Sequence, residues 1–183
     1  ASTTDNLVGG TGADTFMGAA GHMHSTDTAS GGNVFMDGRE IAGPSLERGV
    51  VFQRDVLFPW ASVGSNIGFA LRAAKVPRTQ RRDRIAELIS AVGLAPDVVH
   101  KRPYELSGGM RQRVGIARAL ANSPRVLLMD EPFGALDEIT RHKLDADLLD
   151  LWQNRGLTVV FVTHSIHEAV FLSKRVVMMA ARP

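Results

Sequence analysis

Leu106-Ser107-Gly108-Gly109-Met110-Arg111-Gln112-Arg113, followed by Val126-Leu127-Leu128-Met129-Asp130-Glu131-Pro132 and then Ala135-Leu136-Asp137, is the most informative part of this chain. Ser107 is a good helix N-cap. Gly108 and Gly109 leave room for a bulky anion to approach the first unpaired backbone N–H groups, where the helix dipole also favours negative charge. Met110, Val114, Ala117 and Ala121 keep one face of the following helix against a core, and Pro124 stops it. Val126 to Met129 is a short unbroken apolar run, suited to a strand buried on both faces of a parallel sheet. It ends in two adjacent carboxylates, Asp130 and Glu131. In open α/β sheets ligands sit beyond the carboxyl ends of the strands, so a phosphate-facing helix start beside a metal-binding strand end is expected.

Length and composition set the bounds. At 183 residues, with 44% hydrophobic and 6% aromatic residues, the chain is large enough for one compact core with a small appended subdomain. A net charge of +2 is too small to argue for nucleic acid, and Arg81-Arg82-Asp83-Arg84 reads as a solvated helix face. The absence of cysteine excludes a disulfide or thiolate-zinc scaffold. No apolar run approaches the roughly 18 residues that span a bilayer. The Ser/Thr/Asp-rich start lacks the basic and apolar regions of a signal peptide. Any membrane role is therefore expected to be peripheral.

Residues 1–33 are rich in Gly, Ala, Ser and Thr, and the change of composition near residue 33 is the one visible seam. Gly9-Gly10-Thr11-Gly12-Ala13-Asp14-Thr15-Phe16-Met17 matches one calcium-binding nonapeptide of an RTX-type β-roll, with Asp14 as an oxygen ligand. Such a roll needs about three stacked units. A single unit leaves a flexible leader as the plainer reading, and no Ca²⁺ site is expected. His22 and His24 alternate, as a metal pair would, but two histidines in a polar leader are more often solvated.

From Val34 the sequence becomes regular. Val34-Phe35-Met36 reads as a strand entering the Asp37-Gly38 turn, and Val50-Val51-Phe52 reads as the next strand, running into Gln53. Leu57-Phe58-Pro59-Trp60 is an apolar cluster in a loop, a pattern that marks a partner site. Ile85, Leu88, Ile89 and Val92 fall at helical spacing, with Thr79 as cap and Gly93 as stop. Asp97 is placed to cap a shorter helix ending near Pro103, and Tyr104 is assigned to packing. Asp137 to Asn154 is a long helix with Ile139, Leu144, Leu148, Leu151 and Trp152 as its buried stripe and Gly156 as its end. Leu157 to Val162 is a further buried strand leading to Thr163-His164, and His167 is given a structural role. Arg175 to Met179 begins a last strand.

Leu106 to Met110 resembles the signature motif of ATP-binding-cassette (ABC) ATPases, and Leu127 to Pro132 resembles their Walker B strand. Together, in this order, the two are specific. Leu57 to Trp60, with Ala61-Ser62-Val63 and Asn66-Ile67, is similar to the ATPases of nitrate, sulfonate and taurine importers. The resemblance covers roughly residues 34–183. It implies an α/β, P-loop NTPase-like core carrying a helical subdomain at about residues 63–105, with the family pattern cut short at both ends.

By that resemblance Asp130 holds Mg²⁺, Glu131 orients or deprotonates the attacking water, Gln53 links the metal to the membrane partner, and His164 contacts the γ-phosphate of ATP. Leu106, Ser107, Gly108, Gly109 and Met110 close on ATP held by the opposite subunit, and Ala135, Leu136 and Asp137 form the D-loop. Leu57, Phe58, Pro59 and Trp60 contact a membrane permease at the cytoplasmic face of the membrane, and a solute-binding protein acts indirectly. The family also carries a P-loop, Gly-x-x-x-x-Gly-Lys-Ser/Thr, whose lysine would fall near Thr15 or Phe16, with Gly9 and Gly12 as loop glycines. This chain has no lysine before Lys75 and no Gly-Lys-Ser/Thr. The N-terminal part is therefore read as missing or replaced, and weak ATP hydrolysis by the chain alone is expected. The alternatives are a non-hydrolysing module that completes a partner's site and a calcium-binding segment. A DNA-repair ABC protein is disfavoured, because no coiled-coil insertion separates Gln53 from Leu106.

Overall fold

The computed structural model describes residues 16–19, 29–30, 33–36 and 39–178. Gly9, Gly12, Asp14, Thr15, His22 and His24 lie outside the described residues. In order the chain forms strands β1 (Phe16–Ala19), β2 (Ala29–Ser30), β3 (Asn33–Met36), β4 (Arg39–Glu40) and β5 (Arg48–Val51), then helices α1 (Val63–Ala73), α2 (Arg78–Ala91) and α3 (Gly108–Leu120). It then alternates β6 (Val126–Asp130), α4 (Glu138–Arg155), β7 (Thr158–Val162), α5 (Ile166–Leu172) and β8 (Arg175–Val177).

The apolar, β-branched runs make the sheet. β5, β6 and β7 pair in parallel, with Val51 beside Met129 and Met129 beside Phe161. Helices carry the crossovers that parallel pairing requires. β1 pairs antiparallel with both β7 and β8, giving the order β5-β6-β7-β1-β8. A strand from the compositionally distinct start thus lies inside the central sheet. β2, β3 and β4 form a separate three-stranded antiparallel sheet.

The core lies on one side of the central sheet, where Leu127, Met129, Val159 and Phe161 meet Phe133, Leu144, Leu148 and Trp152. Two expectations about burial need correction. The run Val126 to Met129 is covered on one face only: Leu127 and Met129 are buried, but Leu128 is 37% exposed, and nearby Val50 and Phe52 are exposed at 44% and 54%. Strand side chains alternate, and among the described residues nothing covers the second face fully. Ile139, placed in the buried stripe of α4, is 85% exposed, because the first turn of that helix projects past the core that takes Leu144, Leu148 and Trp152.

The helical region follows local rules with three exceptions. Gly93, at φ +68°, ends α2 as expected, and the N–H groups of Gly93 and Leu94 donate to the carbonyls of Ser90 and Ile89. Thr79 does not cap α2, which begins at Arg78 after Pro77. Pro77 has its φ already set for a helix start. Asp97 sits within a 3₁₀ turn, Pro96–His100, and pairs with Lys101 at 2.9 Å instead of capping. Tyr104 is exposed and not packed.

Candidate functional site

Three parallel strands end side by side and deliver polar residues to the same place. Gln53 follows β5, Asp130 closes β6 with Glu131 next, and His164 follows β7. Gln53 Nε2 donates to Glu131 Oε2 at 3.1 Å, and His164 Nδ1 lies 3.1 Å from Glu131 Oε1. The Glu131 backbone is unusual: its φ is +39°, a left-handed value that costs a non-glycine residue about 1–3 kcal/mol and is found preferentially at functional sites. That geometry is tied down by its N–H, which donates to Val162 O at 2.8 Å, and its carbonyl, which accepts from Gly134 N at 3.1 Å. The half-buried Glu131 carboxylate is therefore aimed by its backbone and held from both sides, whereas Asp130 stands exposed at the strand end.

α3 fixes the segment that carries Gln53. Gln112 Nε2 donates to Gln53 O at 2.8 Å, Arg111 Nε donates to Asp55 Oδ2 at 2.7 Å, and an Arg118 guanidinium nitrogen donates to Val56 O at 3.0 Å. The sequence by itself assigns these three residues no role. Their one sequence signal is spacing, since Arg111 and Arg118 stand two helical turns apart on a helix whose other face is apolar.

The start of α3 is capped as expected, with Ser107 Oγ accepting from Met110 N at 3.3 Å. A Cβ on Gly109 would lie 2.9 Å from Thr140 Cγ2, and one on Gly108 would lie 3.2 Å from Leu136 Cδ2. The two glycines thus let Leu136 and the first turn of α4 approach closely, and a Cβ at either position would make a neighbouring side chain shift. Asp137 Oδ1 accepts from Thr140 N at 3.0 Å, and this bond holds the Asp137 carboxyl below the usual carboxylate range. The loop from Glu131 to Asp137 joins the strand-end group to the Ser-Gly-Gly helix start.

The apolar loop divides by side chain. Leu57 is buried in the core, Phe58 packs edge-on against Phe69 with centroids 5.1 Å apart, and Pro59 and Trp60 face solvent, Trp60 at 73% exposure. Buried Asn66 shapes this loop: its Oδ1 accepts from Phe58 N at 2.8 Å, and its Nδ2 donates to the carbonyls of Phe58, Ala61 and Ser62 at 3.1–3.3 Å. Behind His164, the Thr163 hydroxyl donates to buried Glu168, whose second oxygen lies 3.5 Å from Arg141 Nε. Asp145 is buried nearby without a hydrogen bond. Burial and, secondarily, the Glu168 charge push its carboxyl up to about 7.

An α/β sheet with this strand-end group beside a Ser-Gly-Gly helix start has the fold and residues of an ABC-type ATPase cassette. The chain belongs to the ABC transporter family, whose family model matches residues 10–134, across the composition change near residue 33. It is 49% identical over 175 residues to the taurine import ATP-binding protein TauB of Rhizobium johnstonii, covering 95% of this chain and 65% of that protein. Against TauB of Pseudomonas entomophila it is 51% identical, covering 84% of this chain and 59% of the relative. Against an uncharacterized ABC transporter ATP-binding protein of Methanocaldococcus jannaschii it is 50% identical, covering 86% and 58%. The chain thus spans less than two thirds of the length of these relatives. Among solved structures, a dimeric ATP-binding cassette in a post-hydrolysis state with ADP and Pi aligns with a TM-score of 0.66 at 31% identity, over 80% of this chain and 72% of that one. CbiO1 of Clostridium perfringens, part of the ABC transporter complex CbiONQ, aligns with a TM-score of 0.70 at 27% identity, over 78% and 60%.

Proposed function

We propose that this chain is the ATP-binding subunit of an importer for taurine or a similar small sulfonate or nitrate solute, working as one of two apposed cassettes. The observation that carries this reading is the convergence of Gln53 and His164 on the Glu131 carboxylate, each at 3.1 Å. Phosphoryl transfer needs positioning and charge stabilisation more than covalent chemistry, and a fixed carboxylate at the strand ends suits the orientation of an attacking water. His164, exposed beside Glu131, would meet the γ-phosphate. The Asp130 carboxylate and the Gln53 amide offer hard oxygen donors, the kind Mg²⁺ takes, so the residues fit that ion. When bound, it would neutralise charge on the β- and γ-phosphates.

Leu106 to Met110 would serve ATP held by the second cassette, and Trp60 would dock on a membrane permease at the cytoplasmic face. Among the described residues no helix is long and apolar enough to cross a membrane. The relatives named for taurine import support the solute class.

Steady-state phosphate release tests the reading. The absence of any lysine before Lys75 favours a chain that hydrolyses ATP slowly alone, since removing even one preorganised donor from a charge-stabilising site costs about 10²- to 10³-fold in rate. A low rate that rises on adding a cassette partner and vanishes in Glu131→Gln is expected. A rate indifferent to Glu131→Gln would overturn the assignment. For the docking surface, Trp60→Ala should weaken permease binding measurably while leaving the unfolding midpoint of the isolated chain in place, because so exposed a ring contributes little to the core.

A further inference from the structure

Away from the strand-end group, α4 and α5 bring three side chains together that nothing above employs. His142 and Asp145 lie three residues apart on one face of α4, and His167 is the second residue of α5. One ligand atom from each falls within 4.8 Å of the other two. The imidazole rings of His142 and His167 meet edge to face, with centroids 4.6 Å apart. Asp145 is the decisive member: it is 1% exposed, and neither carboxylate oxygen has a hydrogen-bond partner among the described residues.

Carboxylates buried in this way are normally paired or coordinate a metal. Neighbouring groups do not pair it. Arg141 directs one nitrogen to the carbonyl of Leu136 at 3.0 Å and another toward Glu168 at 3.5 Å, while Glu168 itself takes the Thr163 hydroxyl. Two imidazoles open to solvent and one sequestered carboxylate therefore stand together where α4 meets α5.

We propose that His142, Asp145 and His167 form a zinc-binding site that clamps α4 to α5. Two nitrogen donors and one oxygen donor form the borderline ligand set that suits Zn²⁺, and three protein ligands leave a fourth position for water. Bonds of about 2.0–2.1 Å place tetrahedral ligands about 3.4 Å apart. The three ligand atoms, now within 4.8 Å of one another, would have to draw closer for the ion to be held. Such a clamp would join the helix capped by Asp137 to the helix that follows His164.

The test uses the full chain, stripped with a chelator and titrated with Zn²⁺ by calorimetry, with Co²⁺ replacing Zn²⁺ for absorption spectroscopy. One ion per chain and tetrahedral Co²⁺ bands are expected. His142→Ala, Asp145→Asn and His167→Ala should each weaken binding by about tenfold or more, the range in which metal sites respond to loss of a supporting group. His164→Ala and the double variant His22→Ala/His24→Ala should leave it unchanged. Circular dichroism of each variant verifies the fold, and Asp145→Asn keeps the side chain's shape while removing the carboxyl group. Absence of binding, binding unmoved by the first three substitutions, or binding lost in either control would overturn the site.

Discussion

Asp145 is buried as a carboxyl group with no hydrogen bond, and the groups facing it are Glu168 and His167 from α5 and His142 and Arg141 from its own helix. Burial and Glu168 raise its folded-state pKa to about 7, whereas an unfolded aspartate titrates near 3.9. The folded chain therefore holds a proton that the unfolded chain releases. The associated stability is fully present below about pH 4 and is lost as pH rises through about 7. With chelator present, denaturation at a series of pH values should show stability falling over this window by up to about 1.4 kcal/mol per pH unit. The same series on Asp145→Asn should lack that component. Parallel curves for the two proteins would mean that Asp145 does not titrate there. Glu131 differs in kind: its strain is in the backbone, and it is held by bonds to β7 and to Gly134.

At the scale of elements, the chain between β5 and α1 owes its shape to side chains remote in sequence or turned inward. Arg111, Gln112 and Arg118 of α3 hold its first half, while Asn66 of α1 holds its second half from below. Asn66→Ala would leave the N–H of Phe58 and several carbonyls without their partner, and orphaned buried groups cost about 1–3 kcal/mol each. Urea denaturation of Asn66→Ala is expected to show a loss of about 2–3 kcal/mol, together with increased mobility of the exposed Trp60 in its fluorescence anisotropy. A loss below about 0.5 kcal/mol would mean that water replaces the amide and that the loop keeps its form without it.

At the scale of the whole molecule, the described residues leave one side of the β5-β6 pair open. Val50, Phe52 and Leu128 project there and remain 37–54% exposed. Parallel sheets are ordinarily covered on both faces. A contiguous apolar face of this sort binds partners or promotes association. The chain is expected to bind a hydrophobic dye and to self-associate with rising concentration. Val50→Thr combined with Leu128→Thr should reduce both, by light scattering and dye fluorescence, with little change in secondary structure. Equal association in the double variant would place the sticky surface elsewhere, with exposed Trp60 the next to test.

Much was legible in the residue order because it rests on short-range chemistry. Ser107 caps α3 through an N–H three residues on, and Gly93 and Gly156 end helices because their φ values are positive. The strands at 126–130 and 158–162 follow from runs of apolar and β-branched residues, and the resemblance to ABC ATPases singles out Gln53, Glu131 and His164 after such runs. Other features depend on what the chain meets after folding. Leu57 turns inward while Trp60, three residues later, turns outward; Ile139 misses the core that its helical spacing pointed to; Leu128 lies on a face that the described residues leave open. The grip of α3 on Gln53 spans 59 positions of sequence, and the bond from Gln53 to Glu131 spans 78. Periodicity and caps are set by neighbours within a turn or a strand, so they can be read in order; burial and convergence arise from partners brought together by strand order, which residue spacing alone does not encode.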